Sequence, residues 1–333
     1  MTNTPSFQDP AALADAVRRG DRRALARAIT LIESTKAEHR RHADALLEIL
    51  LPFAGNSVRL GISGVPGVGK STFIESFGMH VLGQGRRLAV LAVDPSSQRT
   101  GGSILGDKTR MVELSRVEGA FIRPSPAGAT LGGVARRTRE AMLICEAAGF
   151  DVIVVETVGV GQSETAVADM VDMFMLLLLP AGGDELQGIK KGIVELADMV
   201  VVNKADGDLV TVARHAVAEY RHALAMLRGA NPDWRVPVLS CSAAHHQGID
   251  KVWETIGEFV ELTSSGGARD RRRAEQARAW MWSEIRESLV ESFSRHPDVR
   301  RSMGEVEAAV SSGRLIPSMA ARNLLARFGV QAI

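Results

Sequence analysis

The run Gly64-Val65-Pro66-Gly67-Val68-Gly69-Lys70-Ser71-Thr72 gathers the groups that hold a polyphosphate. Gly64, Gly69, Lys70 and Ser71 have the spacing Gly-x-x-x-x-Gly-Lys-Ser. Glycine has no Cβ, so successive backbone N–H groups can converge on phosphate oxygens. Lys70 brings a positive charge to the β and γ phosphates, and the Ser71 hydroxyl is a natural Mg²⁺ ligand. An apolar run precedes the glycines and a helical pattern follows them, so the phosphates would also meet the positive end of a helix dipole. These residues point to a nucleoside triphosphate site. They leave the base and the reaction open.

The base is read further along the chain. Asn203-Lys204-Ala205-Asp206 follows the apolar run "MVVV". Guanine presents two adjacent donors, N1–H and the N2 amine, and one carboxylate accepts both. Asp206 is the candidate. Adenine has no such pair and would leave that acceptor unpaired, which discriminates strongly against it. The Lys204 stem can cover one face of the ring, and Asn203 can tie this loop to the phosphate loop. The next apolar run ends in Ser240-Cys241-Ser242-Ala243, where a backbone N–H at Ser242 or Ala243 would face guanine O6. The expected nucleotide is GTP, with GDP as its product, rather than ATP.

Three acids complete a candidate metal set. Asp94 and Glu156 end apolar runs, and Asp107 lies in the Gly-rich stretch "TGGSILGDKTRM". With Ser71 they are hard oxygen donors suited to Mg²⁺, which prefers octahedral oxygen coordination and keeps several waters. Glu156 and Asp94 can act directly or through water, and Asp107 can instead polarise the attacking water. Lys70, Asp107 and Glu156 are thus candidate catalytic residues. Most GTP-hydrolysing switches end this strand in Asp-x-x-Gly, whereas here Glu156 precedes Gly159. The extra methylene lengthens the reach of the acid, and the Gly159 N–H can still meet the γ-phosphate. Val160 occupies the place where a Ras-like switch carries its water-orienting Gln, and Gln162 stands two residues further on. A missing Gln predicts slow intrinsic hydrolysis that awaits a partner.

Such motifs need elements that hold them at one edge of a sheet. From Arg59 onward short runs that are apolar on both faces alternate with helical segments: "RLGIS", "LAVLAVD", "DVIVVE", "MFMLLLLP", "MVVVN" and "VPVLSC". Strands of a parallel sheet covered on both sides by helices read this way. The prediction is α/β: a doubly wound, mostly parallel sheet over 55–262, with ligands at the carboxyl ends of the strands. Residues 1–54 form an N-terminal segment. Its first ten or so residues read as a disordered tail, and 11–51 as helices, with Asp21 as an N-cap. "TSSGGARD" reads as a small-residue linker, opening a C-terminal helical segment over 263–333. There Trp282, Ile285, Leu289 and Phe293 fall on one face of a helix that stops near Pro297, and two shorter helices follow. This region is thin for an independent core, so it is expected to pack on the main domain or on a second copy.

Bulk properties remove several classes. The chain of 333 residues is 45% hydrophobic with a net charge of +1, which supplies no field for nucleic acid or an anionic membrane. The basic run "RDRRR" from Arg269 to Arg273 is the exception and reads as a solvated helix start or linker. Two cysteines, Cys145 and Cys241, lie far apart and outside any Cys-x-x-Cys, so neither a disulfide framework nor a structural zinc is expected. The first residues lack the pattern of a signal peptide, and the longest apolar run, Met173 to Leu179, is too short to span a bilayer. The expectation is a cytoplasmic protein without membrane or nucleic-acid partners.

The phosphate loop, "VDPSS", "GGSILGDKTRM", "ETVGVGQSE", "GGDELQGIKKGI" and "NKAD" together resemble the MeaB family. These are bacterial counterparts of the human methylmalonic aciduria type A protein, also called ArgK or LAO/AO transport ATPases. The family belongs to the branch of phosphate-loop proteins that includes the signal recognition particle GTPases, MinD and BioD. The likeness runs over nearly the whole chain. It implies a G-protein chaperone that gates cobalamin delivery to, and protects, an adenosylcobalamin-dependent acyl-CoA mutase. Methylmalonyl-CoA mutase is the typical client, and a cobalamin adenosyltransferase is a further partner. It also implies a homodimer held by the C-terminal helices. The loop from Gly182 to Ile193 would sense the mutase and bring Lys190 toward the nucleotide as a further catalytic residue.

Two other readings stay open on the residues alone. A kinase would need a second pocket and a base for an acceptor. A nickel-insertion GTPase would usually carry His-rich tracts or Cys pairs near the phosphate loop, and this chain offers His245-His246 after the base-reading motifs.

Overall fold

The computed structural model describes residues 7–93, 111–124, 131–157, 163–180, 191–226 and 233–329. Three helices open the chain, α1 (Pro10–Arg18), α2 (Arg22–Glu33) and α3 (Ala37–Leu50). The Asp9 carboxylate accepts from Ala12 N at 2.9 Å, and Pro10 takes the first helical position, where its missing N–H costs nothing. Asp21 caps α2 as its sequence position predicted, accepting from Arg23 N at 2.8 Å and Ala24 N at 3.0 Å. Order begins earlier than the sequence suggested. The Phe7 ring packs edge-on against His39, with the Arg27 guanidinium over its face. Residues 1–6 lie outside the described residues.

The nucleotide-type domain follows as β1 (Val58–Gly64), α4 (Lys70–Gly83), β2 (Leu88–Val93), α5 (Val112–Arg116), β3 (Ala120–Arg123), α6 (Leu131–Ala147), β4 (Val152–Thr157), α7 (Ser163–Ala168), β5 (Met173–Leu178), α8 (Lys191–Leu196), β6 (Met199–Val202), α9 (Val210–Ala225), β7 (Val238–Ser240) and α10 (Ile249–Ser265). Among the described residues seven strands form one sheet, ordered β3-β2-β4-β1-β5-β6-β7, and every pairing is parallel. The strands predicted from apolar runs all appear. The edge strand β3 carries no such run: "AFIR" is short, starts beside Gly119 and ends in a charge.

Successive strand residues face opposite sides, and the sheet has a core on each. Ile153 and Val155 of β4 pack with Ala89, Leu91 and Phe174 against α6 and the N-terminal helices, whose Leu13, Ile29, Ile32 and Leu46 are buried in the same cluster. Val152 and Val154 face the other way, with Leu60, Ile62 and Met175, onto Phe73 and Phe77 of α4 and Phe259 of α10. The amphipathic N-terminal helices thus extend one of the two cores.

At the amino-terminal edge of the sheet three buried acids meet three arginines. Glu146 takes both Nε and Nη2 of Arg59, at 2.9 and 2.8 Å, and also the Ser57 hydroxyl at 2.6 Å. Asp172 is held by Arg273, through Nε at 2.7 Å and Nη2 at 2.6 Å, and by Arg59 N at 2.9 Å. Asp198 pairs with Arg272 at 3.1 Å and accepts from Phe174 N at 2.8 Å. These contacts correct the reading of "RDRRR" as a solvated run, because Arg272 and Arg273 are spent inside the protein. α10 continues through Ser265, and only Gly266 and Gly267 separate it from α11 (Ala268–Arg295). Gln276 Nε2 adds a bond to Val171 O at 2.8 Å.

The chain divides into two compact units, the first ending at Gln276 and the second starting at Ala277. In the second, α11 runs to Arg295 and is followed by α12 (Pro297–Ser311) and α13 (Pro317–Arg327), matching the two short helices expected after Pro297. Phe293 and Phe328 meet edge-on at 5.5 Å, and Val299 and Leu324 are buried. Trp282, Ile285 and Leu289 stay exposed, Trp282 at 54% and Leu289 at 55%.

Candidate nucleotide site

β1 ends at Gly64, the loop turns through Gly67 and Gly69, and α4 begins at Lys70. Gly69 has φ +91° and sits as the N-cap of α4, where a Cβ would come within 2.9 Å of the Asn203 amide nitrogen. A side chain is therefore excluded twice, by backbone conformation and by the neighbouring loop. Val68 is buried and anchors the loop in the core. Val65 is half-buried and Pro66 exposed. Lys70 Nζ donates to Gly64 O at 2.6 Å and to Val65 O at 3.4 Å, so its charge is held within the loop. Ser71 and Thr72 lie in the first turn of α4, where N–H groups have no helical partner and favour an anion.

The loop that carries Asn203 to Asp206 is bonded onto this one. Asn203, buried at the end of β6, donates from Nδ2 to Val68 O at 2.9 Å. Its Oδ1 accepts from Ala243 N at 3.1 Å and, at 3.4 Å, from the Cys241 thiol. Lys204 takes a left-handed conformation with φ +60°, and its Nζ donates to Gly67 O at 2.7 Å, laying the stem along the phosphate loop. Asp206 is half-buried and accepts a short hydrogen bond from the Ser242 hydroxyl, which orients the carboxylate. The Ala243 N–H, expected to face guanine O6, is engaged by Asn203. The Ser242 N–H is also engaged, donating to Gln247 O at 3.0 Å.

Glu156 lies near the end of β4, 5% exposed, in register with Ile62 of β1 and Ala92 of β2. Next to it the Thr157 hydroxyl donates to Ser63 Oγ at 2.9 Å, bonding the ends of β4 and β1. The structure thus brings Glu156, the phosphate loop and the base-reading loop to the carboxyl edge of one sheet. Asp94, Asp107, Gly159, Val160, Gln162 and Lys190 lie outside the described residues. Among the described residues no group of three or more His, Cys, Asp or Glu side chains is placed to hold a metal ion. Burial pushes the Cys241 thiol up to about 12 and the Cys145 thiol higher still, so both are neutral thiols at ordinary pH. Both are free and buried, Cys145 on α6.

Two supporting contacts had no signal in the sequence. Glu75, one turn beyond Ser71, accepts from Glu113 N at 2.8 Å and caps α5, which also buries Leu114 against Gly78. Ser76 Oγ lies 2.7 Å from His246 Nδ1. In each case the partners are remote in sequence and no local spacing joins them.

Among the described residues no helix is long and apolar enough to cross a membrane. The family model described as methylmalonyl-CoA mutase-associated GTPase MeaB matches residues 25–298. The mitochondrial methylmalonic aciduria type A homolog of Mus musculus is 52% identical over 320 residues, covering 93% of this chain and 77% of that protein. GTPase ArgK of Escherichia coli is 47% identical over 320 residues, covering 94% and 96%. The crystal structure of a protein titled LAO/AO transport system kinase superimposes with a TM-score of 0.78 at 39% identity, covering 98% of this chain and all of that one. With two nucleotide loops bonded to each other on a parallel sheet, and a family match spanning most of its length, this chain belongs to the MeaB family of GTPases.

Proposed function

We propose that the site binds GTP and hydrolyses it as the timing step of a chaperone for an adenosylcobalamin-dependent acyl-CoA mutase, methylmalonyl-CoA mutase first among them. The observation that carries the nucleotide half is the Asn203 bond to Val68 O at 2.9 Å, which links base reading to phosphate binding. The client half rests on the family match and on the name of the mouse relative.

In this reading Gly64 to Thr72 wrap the phosphates, and Lys70 exchanges its bonds to Gly64 and Val65 for phosphate oxygens. Asp206 accepts from guanine N1–H and N2, with Lys204 against the ring and Ser242 and Ala243 behind the base. The donors near the phosphates suit Mg²⁺: the Ser71 hydroxyl opens α4, and the Glu156 carboxylate is buried beside β1. When bound, Mg²⁺ neutralises charge on the β and γ phosphates. Asp94 and Asp107 would join that set, Gly159 would meet the γ-phosphate, and Lys190 would approach on mutase binding. Segments 1–54, 55–262 and 263–333 then serve as helical prelude, nucleotide domain and dimerisation arm. The exposed stripe of Trp282, Ile285 and Leu289 supports a second copy as its cover in a homodimer. The protein would work in the cytoplasm, with a cobalamin adenosyltransferase as a further partner.

Phosphate release from GTP, measured with and without a purified methylmalonyl-CoA mutase, tests this. A slow basal rate that rises when the mutase is added is expected. Transfer of the γ-phosphate to a non-water acceptor would instead make the protein a kinase and overturn the reading.

A further inference from the structure

Ser76 and His246 join the loop after β7 to the helix after the phosphate loop, and no role described above uses them. Ser76 lies on α4, the helix that Lys70 and Ser71 open, and is 3% exposed. Its hydroxyl is 2.7 Å from His246 Nδ1, across 170 residues of chain. A serine inside a helix ordinarily bonds its own backbone or faces water, whereas this one reaches another element. His246 has φ +55° and ψ +26°, the left-handed region that side-chain-bearing residues seldom enter. It ends the short turn Ala243–His245, and reciprocal backbone bonds of 3.0 Å between Ser242 and Gln247 close the loop around it. Ser242 in turn donates to Asp206. A continuous path therefore runs from α4 through His246 and the turn to the carboxylate that reads the base.

We propose that Ser76 and His246 are a positioning pair that holds the base-reading loops in register with the phosphate loop, so that guanine nucleotide affinity depends on them and phosphate chemistry does not. The proposal rests on the guanine reading above. The bond forms with either state of the ring: a neutral imidazole accepts from the Ser76 hydroxyl, and an imidazolium donates to it. The pair is therefore a strut. A loop held in place before the nucleotide arrives loses less freedom on binding, which appears as affinity. Asn203 ties the same loops to Val68 from the β6 side, and Ser76 ties them from the α4 side.

The test titrates full-length protein with fluorescent GDP and measures turnover at saturating GTP. Ser76→Ala and His246→Gly should each weaken GDP about tenfold, the equivalent of about 1.4 kcal/mol. Turnover at saturation should stay within about twofold. Glycine accepts the left-handed backbone, so His246→Gly removes the side chain without adding backbone strain. His246→Asn, which tolerates that backbone and keeps a hydrogen-bonding group, should recover part of the affinity. The double variant should bind no more weakly than either single one. Unchanged affinity, fully additive losses, or a turnover that falls with affinity would each overturn the proposal. Because His246 is on an exposed loop, its two variants decide the matter even if Ser76→Ala destabilises α4. If the unaltered protein prefers ADP over GDP, the guanine reading itself fails. If it prefers GDP and the variants match it, only the strut fails.

Discussion

The side-chain amide of Asn203 holds three segments at once, donating to Val68 O at 2.9 Å while accepting from Ala243 N and the Cys241 thiol. The phosphate loop, the end of β6 and the loop after β7 are therefore joined through one side chain. Asn203→Ala leaves the Ala243 N–H and Val68 C=O without these partners in a buried setting, at a cost of about 1–3 kcal/mol per unsatisfied group. Thermal unfolding should come earlier, and GDP affinity measured by calorimetry should fall by about tenfold or more. Wild-type affinity in this variant would mean that the two loops are not coupled through Asn203.

In the proposed function Asp206 reads the base by accepting, and an amide at the same place could also donate. Asp206→Asn should lose GTP and gain xanthosine triphosphate, whose C2 carbonyl accepts where guanine's amine donated. Competition between the two nucleotides measures the exchange. A variant that still prefers GTP would remove Asp206 from the base-reading role.

Lys70 is the cation of the phosphate loop, and its partners include two loop carbonyls that water can replace. Lys70→Ala should abolish GTP hydrolysis with little change in thermal midpoint. Single-turnover phosphate release gives the first quantity and a melting curve the second. Turnover at the wild-type rate would contradict the assignment.

Arg273 closes the buried acid network at the amino-terminal edge, bonding Asp172 as well as the carbonyls of Gly55 and Ser57. Arg273→Met keeps the stem but strands a buried carboxylate, which typically costs about 3–5 kcal/mol. Denaturant unfolding should show a clearly lower midpoint. Changing Asp172 to Asn in the same chain should recover part of the loss, because the stranded charge is then gone.

The buried thiols give a pH prediction. Cys241, held up to about 12 against an ordinary value of 9.0, stays protonated in the folded protein between pH 7 and 9. Alkylation by a thiol reagent should be slow throughout that range, and should become fast for both cysteines in denaturant. The unfolded thiol ionises first as pH rises past 9.0, so this group lowers folding stability from there upward. A native thiol that reacts as fast as a free one would show the core to be open at Cys241.

How far the sequence reached depends on the distance over which each cause acts. The phosphate loop, the Asp21 cap and the apolar strands were legible because their physics is local: a glycine at left-handed φ, a carboxylate two and three residues before the N–H groups it accepts from, side chains buried on both faces. Those residues, with "NKAD", were enough to name a guanine site at the carboxyl edge of a parallel sheet. Strand β3 was missed because "AFIR" owes its extended form to pairing with β2, and four such residues specify little by themselves.

The use of the basic run was decided only in three dimensions. "RDRRR" is the same string whether its arginines face water or a carboxylate, and the fold places Asp172 and Asp198 beneath Arg273 and Arg272. Glu75 on α5 and Ser76 on His246 are contacts of the same kind, made between groups that chain spacing does not relate. By itself the sequence determined the parallel α/β fold and pointed to a guanine nucleotide, because the apolar strands and nucleotide motifs are short runs with fixed spacing. The tertiary structure decided which polar residues brace the site, because a hydrogen bond or buried ion pair is specified by where two remote elements meet.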